Sequence, residues 1–366
     1  MKPLAPGSAI GVLGGGQLGR MLALAAAQLG FDVHIFTDES DSPAARVAAK
    51  AMVSDYHDHE ALADFARGVA VVTTEFENVP ADTAEALVAA GARVAPNPRA
   101  LAIAQDRFAE KSYFHANGIA TAPFAAIDSL SDLTAALGEI GAPAILKTRR
   151  LGYDGQGQAR IARAEDARAA FEKLAGAGAV LEGFCAFERE VSIIAARGAD
   201  GAFAAYDLCE NDHAGGILSR TTLPARCGAE VGENARAEIR RVMQALDYVG
   251  VLAMEFFLMP GGALIANEMA PRVHNSGHWT IEGAATSQFE QHVRAIAGWP
   301  LGSPERLFDI EMENLIGDGA AHWAKLAAAP NAHLHLYGKR DMRAGRKMGH
   351  VTRLKPLSAG TFRPGP

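Results

Sequence analysis

Glu255 and Glu268 are the residues from which chemistry is most directly read. They lie in LAMEFFLMPGGALIANEMAPRVHNSGH, from Leu252 to His278, where two apolar runs flank Pro260, Gly261 and Gly262. Apolar segments on either side of such a turn signal predict a β-hairpin. If the turn is tight, Glu255 sits opposite Glu268. Directly opposed side chains share one face of the sheet, with Cβ atoms about 4.5 to 5.5 Å apart. Two like charges at that distance repel unless a cation lies between them. Hard carboxylate oxygens with phosphates nearby suit Mg2+, so the pair is a candidate metal site. A solvated outer face is the bland alternative, but both carboxylates interrupt runs of Met, Phe, Leu and Ala.

Two segments upstream could bring a nucleotide to that metal. In PAILKTRRLGYDGQGQARI, from Pro143 to Ile161, a strand delivers Lys147, and Gly152, Gly155 and Gly157 make a loop before the chain returns to a strand. No G-K-[ST] follows and no helix starts there, so this is not a P-loop. The amides of a glycine-rich hairpin can still form an anion nest, to which a lysine adds a point charge. In AVLEGFCAFEREVSII, from Ala179 to Ile194, a strand ends at Glu182, breaks at Gly183 and resumes after Glu190. Glu182 through Cys185 can offer backbone groups to an adenine, and Glu190 can accept from ribose hydroxyls. Glu188 and Arg189 read as a solvated pair. A third glycine motif opens the chain: Gly14, Gly16 and Gly19 in GGGQLG satisfy G-x-G-x-x-G, with Asp38 about 20 residues onward. By itself that motif reads as an NAD-dependent dehydrogenase. Its physics asks only for a tight turn whose amides and helix N-terminus face an anion, and any phosphate serves.

The elements that must position these residues begin with α/β alternation. Ala9 to Leu13 reads as a short strand, Leu18 to Leu29 as an Ala-rich helix, Asp32 to Phe36 and Val69 to Glu75 as strands, and Asp82 to Ala90 as a helix. This predicts a doubly wound parallel sheet of roughly 100 residues. Arg99 to Gly118 reads as a helical connector ending on a glycine cap. Strands and helices alternate again from Ala122 to about Ser192, and the remainder is strand-rich with helices after Thr280. A chain of 366 residues is long enough for two or three domains. With 49% hydrophobic and 21% charged residues it is globular. The net charge of -7 and a pI near 6.0 argue against general nucleic-acid binding. The basic cluster between Lys339 and Lys347 therefore reads as a site for a small anionic ligand. Cys185, Cys209 and Cys227 form no CxxC pair, which fits a reducing cytoplasm. The N-terminus lacks a signal-peptide core, and no apolar run reaches the length of about 18 residues needed to span a bilayer. A cytoplasmic protein with no membrane partner is expected.

The order of parts resembles the ATP-grasp superfamily: a lysine strand with a Gly-rich lid, then E-G-F with a following glutamate, then the Glu255/Glu268 hairpin ending N-E-M-A-P-R. Seven segments narrow the resemblance. They are GGGQLGRM from Gly14, TTEFENV from Thr73, QDRFAEK from Gln105, GYDGQGQ from Gly152, EGFC from Glu182, APRVHNSGHWT from Ala270 and YGKRDMRAGRKMGHV from Tyr337. In this order, from about Gly11 to Arg353, the chain resembles the N5-carboxyaminoimidazole ribonucleotide synthetase family of purine biosynthesis. Val273 stands where that family usually has proline, and Cys185 where an aliphatic residue is common. Many ATP-grasp ligases place a metal-ligating asparagine where Ala270 stands, but alanine is normal in this family.

The resemblance implies an ATP-grasp fold of α/β and α+β character. A Rossmann-like, doubly wound domain would occupy residues 1–100, a connector and small lid domain 101–190, and a C-terminal domain with the metal hairpin 191–366. It implies a cytoplasmic homodimer that uses ATP, Mg2+, bicarbonate and 5-aminoimidazole ribonucleotide. Arg107, Lys147, the lid residues Gly152, Tyr153, Asp154, Gly155, Gln156, Gly157 and Gln158, the segment Glu182, Gly183, Phe184 and Cys185, then Glu190, His213, Asn267 and Glu268 would surround ATP. For His213 a plain surface-loop role is the rival. Glu255 and Glu268 would hold the metal. Arg272, His274 and Asn275 would hold bicarbonate and reach the γ-phosphate. The ribonucleotide's phosphate would meet Gly15, Gly16, Gln17, Leu18, Lys339 and Arg346, its ribose Glu75, and its ring Tyr153 and Asp154. The amine would attack carboxyphosphate, or the CO2 it releases, and both Asp154 and His274 are candidates for its proton. A formate-dependent ribonucleotide transformylase or a biotin carboxylase would share the metal hairpin.

Overall fold

The computed structural model describes residues 2–152, 157–174 and 178–358. Its first sheet has four parallel strands in the order Lys50–Val53, Asp32–Thr37, Ala9–Leu13, Val71–Thr74. Successive side chains of a strand point to opposite faces, and here both faces are apolar. Ile10, Val12, Val33 and Ile35 pack with Leu18 and Leu22 of the helix Gln17–Gln28. Leu13, Phe36 and Val72 pack on the other side with Leu62, Phe65 and Leu87, from the helices His59–Arg67 and Ala81–Ala89. This is the doubly wound arrangement expected from the alternation. The edge strand Lys50–Val53 and the helix His59–Arg67 were not among the expected elements.

The expected single connector helix is two. Pro98–Ala104 stops at Gln105, and Arg107–Ala116 begins after Asp106. The Asp106 carboxylate accepts the amides of Phe108 at 3.0 Å and Ala109 at 3.1 Å, an N-cap that satisfies donors a continuous helix would bond internally. That cap projects Arg107 and Lys111, one turn apart, from the start of the second helix.

The lid domain is a four-stranded antiparallel sheet, ordered Phe124–Ile127, Ala179–Gly183, Ala144–Thr148, Gln158–Ile161. Helices Leu130–Ile140 and Ala167–Lys173 bury Leu133, Leu137 and Ala170 against its Leu146, Ile161 and Leu181.

The largest sheet is antiparallel and runs from Leu264–Ala270 through Gly250–Leu258 and Arg189–Arg197 to Cys209–Ala214, Ile217–Leu223, Asp309–Ile316, Lys347–Lys355 and Ala332–Leu336. One face packs on the helix Ala229–Ala245 through Leu252, Met254, Ile239 and Val242. The other packs on Gln288–Ala297, which also contacts Gln17–Gln28, so one core continues from the large sheet into the first domain.

The hairpin of the first two strands places the acidic pair by a route that a uniform tight turn does not supply. From Leu258/Leu264 back to Phe256/Ala266 the register is regular, and then it shifts before Glu255, which pairs with Glu268. Asn267 is the extra residue. Without this bulge Glu255 would face Asn267, and Glu268 would point to the opposite side of the sheet. Leu264 and Ala266 before the bulge and Met269 after it all enter the same core, which is the change of parity that turns Glu268 to the side of Glu255. The connecting turn is left to glycine, with φ of 88° at Gly261 and 91° at Gly262.

Candidate active site

A cleft of about 630 Å3 is walled by the lid sheet, the largest sheet and, from the first domain, the start of the helix Gln17–Gln28 and the loop after Val71–Thr74. On its lid side, Lys147 of Ala144–Thr148 meets Glu182 of the adjacent strand, with Nζ 3.0 Å from Oε2. Burial lowers the Lys147 pKa, and the Glu182 carboxylate opposes this only in part. Glu182 shows the converse: burial would raise it, but Lys147 and Lys111 hold it below the usual carboxylate range. Arg107 reaches across the cleft, donating from Nη1 to Glu268 Oε2 at 3.2 Å and from Nη2 to the Gly152 carbonyl at 2.8 Å. It therefore ties the root of the lid to the Glu255/Glu268 hairpin. His213 forms an ion pair with Glu190. Burial would lower this imidazole, but the hydrogen bond and charge of Glu190 raise it instead. Beside them Phe187 stacks on Phe257, with ring centroids 4.6 Å apart.

At the centre stand Glu255 and Glu268. Burial and then the neighbouring Glu268 push the Glu255 carboxyl up to about 7. Two carboxylates with too little positive charge between them are what a divalent cation would correct, so the residues present fit Mg2+. Among the described residues no group of three or more His, Cys, Asp or Glu could hold a metal by itself. Mg2+ sites commonly use one or two carboxylates and take their other ligands from phosphate and water.

The far side is built by the first domain and by the segment after the hairpin. Arg272 forms an ion pair with Glu77 and donates from Nη1 to the Val273 carbonyl at 3.0 Å. Burial opposes both charges, and their mutual attraction holds Glu77 low and Arg272 high. His274 is mostly enclosed, and desolvation, then Arg272 and Lys347, hold it well below its usual pKa, so it is neutral. The Ser276 amide donates to its Nδ1 at 3.3 Å, which leaves the proton on Nε2, 3.1 Å from Glu255 Oε1. Asn275 contributes a buried amide whose Oδ1 and Nδ2 have no hydrogen-bond partner among the described residues, on the cleft wall. A buried amide without partners is costly unless a ligand completes it.

The glycine motif of the first domain is filled by its own chain. Glu75 Oε2 accepts the Gly19 amide at 2.7 Å and Oε1 accepts the Gly16 amide. A Cβ on Gly16 would lie 2.6 Å from Glu75 Oε1, and one on Gly14 would collide with the Glu75 side chain. The glycines thus make room for a carboxylate at the helix N-terminus, where a dinucleotide would need its pyrophosphate. Asp38, the expected ribose contact of that reading, is exposed.

Comparison with known proteins agrees with this geometry over nearly the whole chain. Family models match at residues 8–105, the ribonucleotide synthetase preATP-grasp domain, at 112–289, the ATP-grasp domain, and at 311–359, the phosphoribosylaminoimidazole carboxylase C-terminal domain. The N5-carboxyaminoimidazole ribonucleotide synthase of Brucella melitensis is 53% identical over 355 residues, covering 96% of this chain and 98% of the relative. The chain belongs to the N5-carboxyaminoimidazole ribonucleotide synthase family. The crystal structure of the Thermus thermophilus synthetase aligns with a TM-score of 0.90 at 48% identity, over 94% of this chain and 93% of that one. The Aspergillus clavatus synthase, solved with ADP and 5-aminoimidazole ribonucleotide, aligns with a TM-score of 0.90 at 31% identity, over 96% of this chain and 94% of that one. Like the family, the chain is an ATP-dependent, ADP-forming ligase with an ATP-grasp fold. The dehydrogenase reading is thereby answered, and so are those of a transformylase and a biotin carboxylase.

Within this family fold, most residues expected at the site line one cleft: Gln17, Leu18 and Glu75 on one side, Arg107, Lys147, Gly152, Gln158, Glu190 and His213 on another, and Glu255, Asn267, Glu268, Arg272, His274 and Asn275 between them. Tyr153, Asp154, Gly155 and Gln156 lie outside the described residues. Gly15, Gly16, Gly157, Glu182, Gly183, Phe184, Cys185, Lys339 and Arg346 do not line the cleft. The Gly183 amide bonds to the Pro123 carbonyl at 2.9 Å and the Phe184 amide to the Pro143 carbonyl at 3.1 Å, so these two amides are already engaged within the lid domain. Lys339 sits beyond Tyr337, 5.9 Å from its ring centroid, and burial and then Arg346 push its pKa down to about 8. The Lys339 loop is fastened to the first domain by Arg340, whose Nε is 2.8 Å from Asp41 Oδ2.

Sequence reasoning missed Glu110, Phe187 and Phe257 on the cleft wall, and it reached Lys347 only as the end of the basic cluster and Glu77 only as a loop carboxylate after a strand. Glu110 accepts the Met269 amide at 2.6 Å, and burial and then Glu268 push its carboxyl up to about 8. Glu77 and Glu110 each belong to segments that carried the resemblance, TTEFENV and QDRFAEK.

Proposed function

We propose that this cleft carries out the ATP- and bicarbonate-dependent carboxylation of 5-aminoimidazole ribonucleotide to N5-carboxyaminoimidazole ribonucleotide, with release of ADP and phosphate. The observation that carries the reading is the Glu255/Glu268 pair, set between Lys147 and Arg107 on one side and Arg272, His274 and Asn275 on the other. ATP would lie against Lys147 with its base near Phe187 and Phe257 and its ribose near Glu190 and His213. Glu255 and Glu268 would hold Mg2+, which supplies positive charge to the phosphoryl oxygens. Arg272 and the unpartnered Asn275 amide would orient bicarbonate so that one of its oxygens meets the γ-phosphorus. That oxygen–phosphorus bond forms as the bond to the β-phosphate oxygen breaks, giving carboxyphosphate and ADP. The exocyclic amine then bonds to the carboxyl carbon, phosphate leaves, and the amine loses a proton. Because Nδ1 of His274 accepts from Ser276, its Nε2–H is suited to donate a hydrogen bond rather than to receive that proton. Asp154 is the remaining candidate.

The ribonucleotide would lie between the first domain and the nucleotide, with its phosphate toward Lys339, Arg346 and the Gly15–Leu18 turn. Since Glu75 already occupies the Gly16 and Gly19 amides, the positive charge for that phosphate would come from the basic loop. We read the enzyme as a cytoplasmic homodimer because the family resemblance implies one; its three cysteines are free, and among the described residues no helix is long and apolar enough to cross a membrane. The deciding experiment is ADP release measured with Mg-ATP and bicarbonate, with and without 5-aminoimidazole ribonucleotide. Strong stimulation by the ribonucleotide is expected. Turnover indifferent to both bicarbonate and the ribonucleotide would refute the reading.

A further inference from the structure

Lys111 has no part in the chemistry set out above, yet it is 1% exposed. Its Nζ donates to the Asn267 carbonyl at 3.0 Å and lies 3.3 Å from Glu182 Oε2, the same oxygen that Lys147 approaches to 3.0 Å. Two ammonium groups thus share one carboxylate oxygen. They are not equivalent, because Lys147 lines the cleft with its side chain 13% exposed, whereas Lys111 is sealed behind the wall at 2%. Lys111 is also fixed from a second side, by the carbonyl of the bulge residue next to Glu268.

If Lys147 serves the phosphates of ATP, as the reading above has it, it must loosen its hold on Glu182. A buried carboxylate left without a cation is strongly unfavourable. We propose that Lys111 is a positioning residue for Lys147: by neutralising Glu182 permanently, it frees Lys147 to move to the nucleotide phosphates. Through Asn267 the same ammonium also registers the lid sheet against the metal hairpin. This proposal rests on the assignment of Lys147 as a phosphate contact, and its test keeps the two apart.

Binding of Mg-ATP and of 5-aminoimidazole ribonucleotide would be measured by calorimetry on the wild type, Lys111→Met, Lys111→Met/Glu182→Gln and Lys147→Met, with melting temperatures alongside. In Lys111→Met the lone Glu182 should capture Lys147, weakening ATP binding by about 10- to 150-fold, the range of one charge-assisted hydrogen bond, while ribonucleotide binding stays unchanged. Adding Glu182→Gln should restore ATP affinity to within about threefold of wild type. A purely structural lysine predicts the reverse, with the second buried substitution lowering both affinity and melting temperature further. Wild-type ATP affinity in Lys147→Met would refute the phosphate assignment itself. Weakened binding in Lys147→Met, together with no loss in Lys111→Met or no recovery in the double variant, would overturn the role of Lys111 alone. Should Lys111→Met not fold, the double variant decides: near-wild-type ATP affinity supports the proposal, and failure to fold makes Lys111 a structural cation and ends it.

Discussion

Glu182 is a buried carboxylate and Glu255 a half-buried one, on strands of two sheets beside one cleft, and they differ in the sign of the charge around them. Glu182 has two lysines within 3.3 Å and is held below the usual carboxylate range. Glu255 has a second carboxylate opposite and a neutral histidine beside it, and is pushed up to about 7. The charge of the first site is balanced by the chain through one carboxylate oxygen, and the second is left for something positive from outside. Glu75 has its hydrogen bonds met by the Gly16 and Gly19 amides, although burial still raises its carboxyl. Lys339 belongs with the second site but has the opposite sign, since burial and Arg346 depress its charge. Places where a fold leaves buried charge unbalanced are where ligands of the opposite charge bind.

This contrast is most easily broken at Glu268. If the pair is incomplete because a cation belongs there, Glu268→Gln should lower Mg-dependent ADP release by about 100-fold or more, the scale of losing a preorganised electrostatic contact. Its melting temperature should stay level or rise, because one of two neighbouring like charges is gone. Near-normal turnover would make the pair an incidental surface feature.

At the positive site the expected effect is smaller. If Lys339 waits for the ribonucleotide phosphate, Lys339→Ala should raise the KM of the ribonucleotide by roughly 10- to 150-fold and leave that of ATP in place. Arg346→Ala should behave alike. A KM unchanged in both variants would remove the loop from the site.

The same lysine yields a pH dependence. Its pKa in the free enzyme is lowered to about 8, so it is charged below that pH and neutral above it. A phosphate dianion favours the ammonium, so ribonucleotide binding should weaken by up to roughly 10-fold between pH 7 and pH 9 and take up a proton at the alkaline end. The dependence should flatten in Lys339→Ala. Calorimetry in buffers of different ionisation enthalpy would detect the proton, and its absence would mean that Lys339 does not meet the phosphate.

The smallest expected effect is none at all. Because Glu75 completes the glycine turn, NADH at micromolar concentration should neither bind nor change its fluorescence, and Asp38→Ala should leave activity alone. A tight NADH complex dependent on Asp38 would show that the turn is not a completed site.

By itself the sequence determined the parallel sheet of the first domain, the strand carrying Lys147, the hairpin of Glu255 and Glu268, and, through its ordered motifs, the family. These are local: alternation of apolar residues, glycines at turns and spacing along one strand follow from backbone geometry over a few residues. Tertiary structure alone decided which charges are already matched. Glu75 meets Gly16 and Gly19 across 59 and 56 residues, and Arg272 meets Glu77 across 195. Lys111 reaches Asn267 across 156 residues, and no spacing announces such a contact. Even the acidic pair owes its alignment to one extra residue in the ladder, Asn267, which is set by which side chains the core accepts and not by the turn. A residue's type says that it can bear charge, whereas only its distant neighbours decide whether that charge is balanced within the fold or left for a ligand.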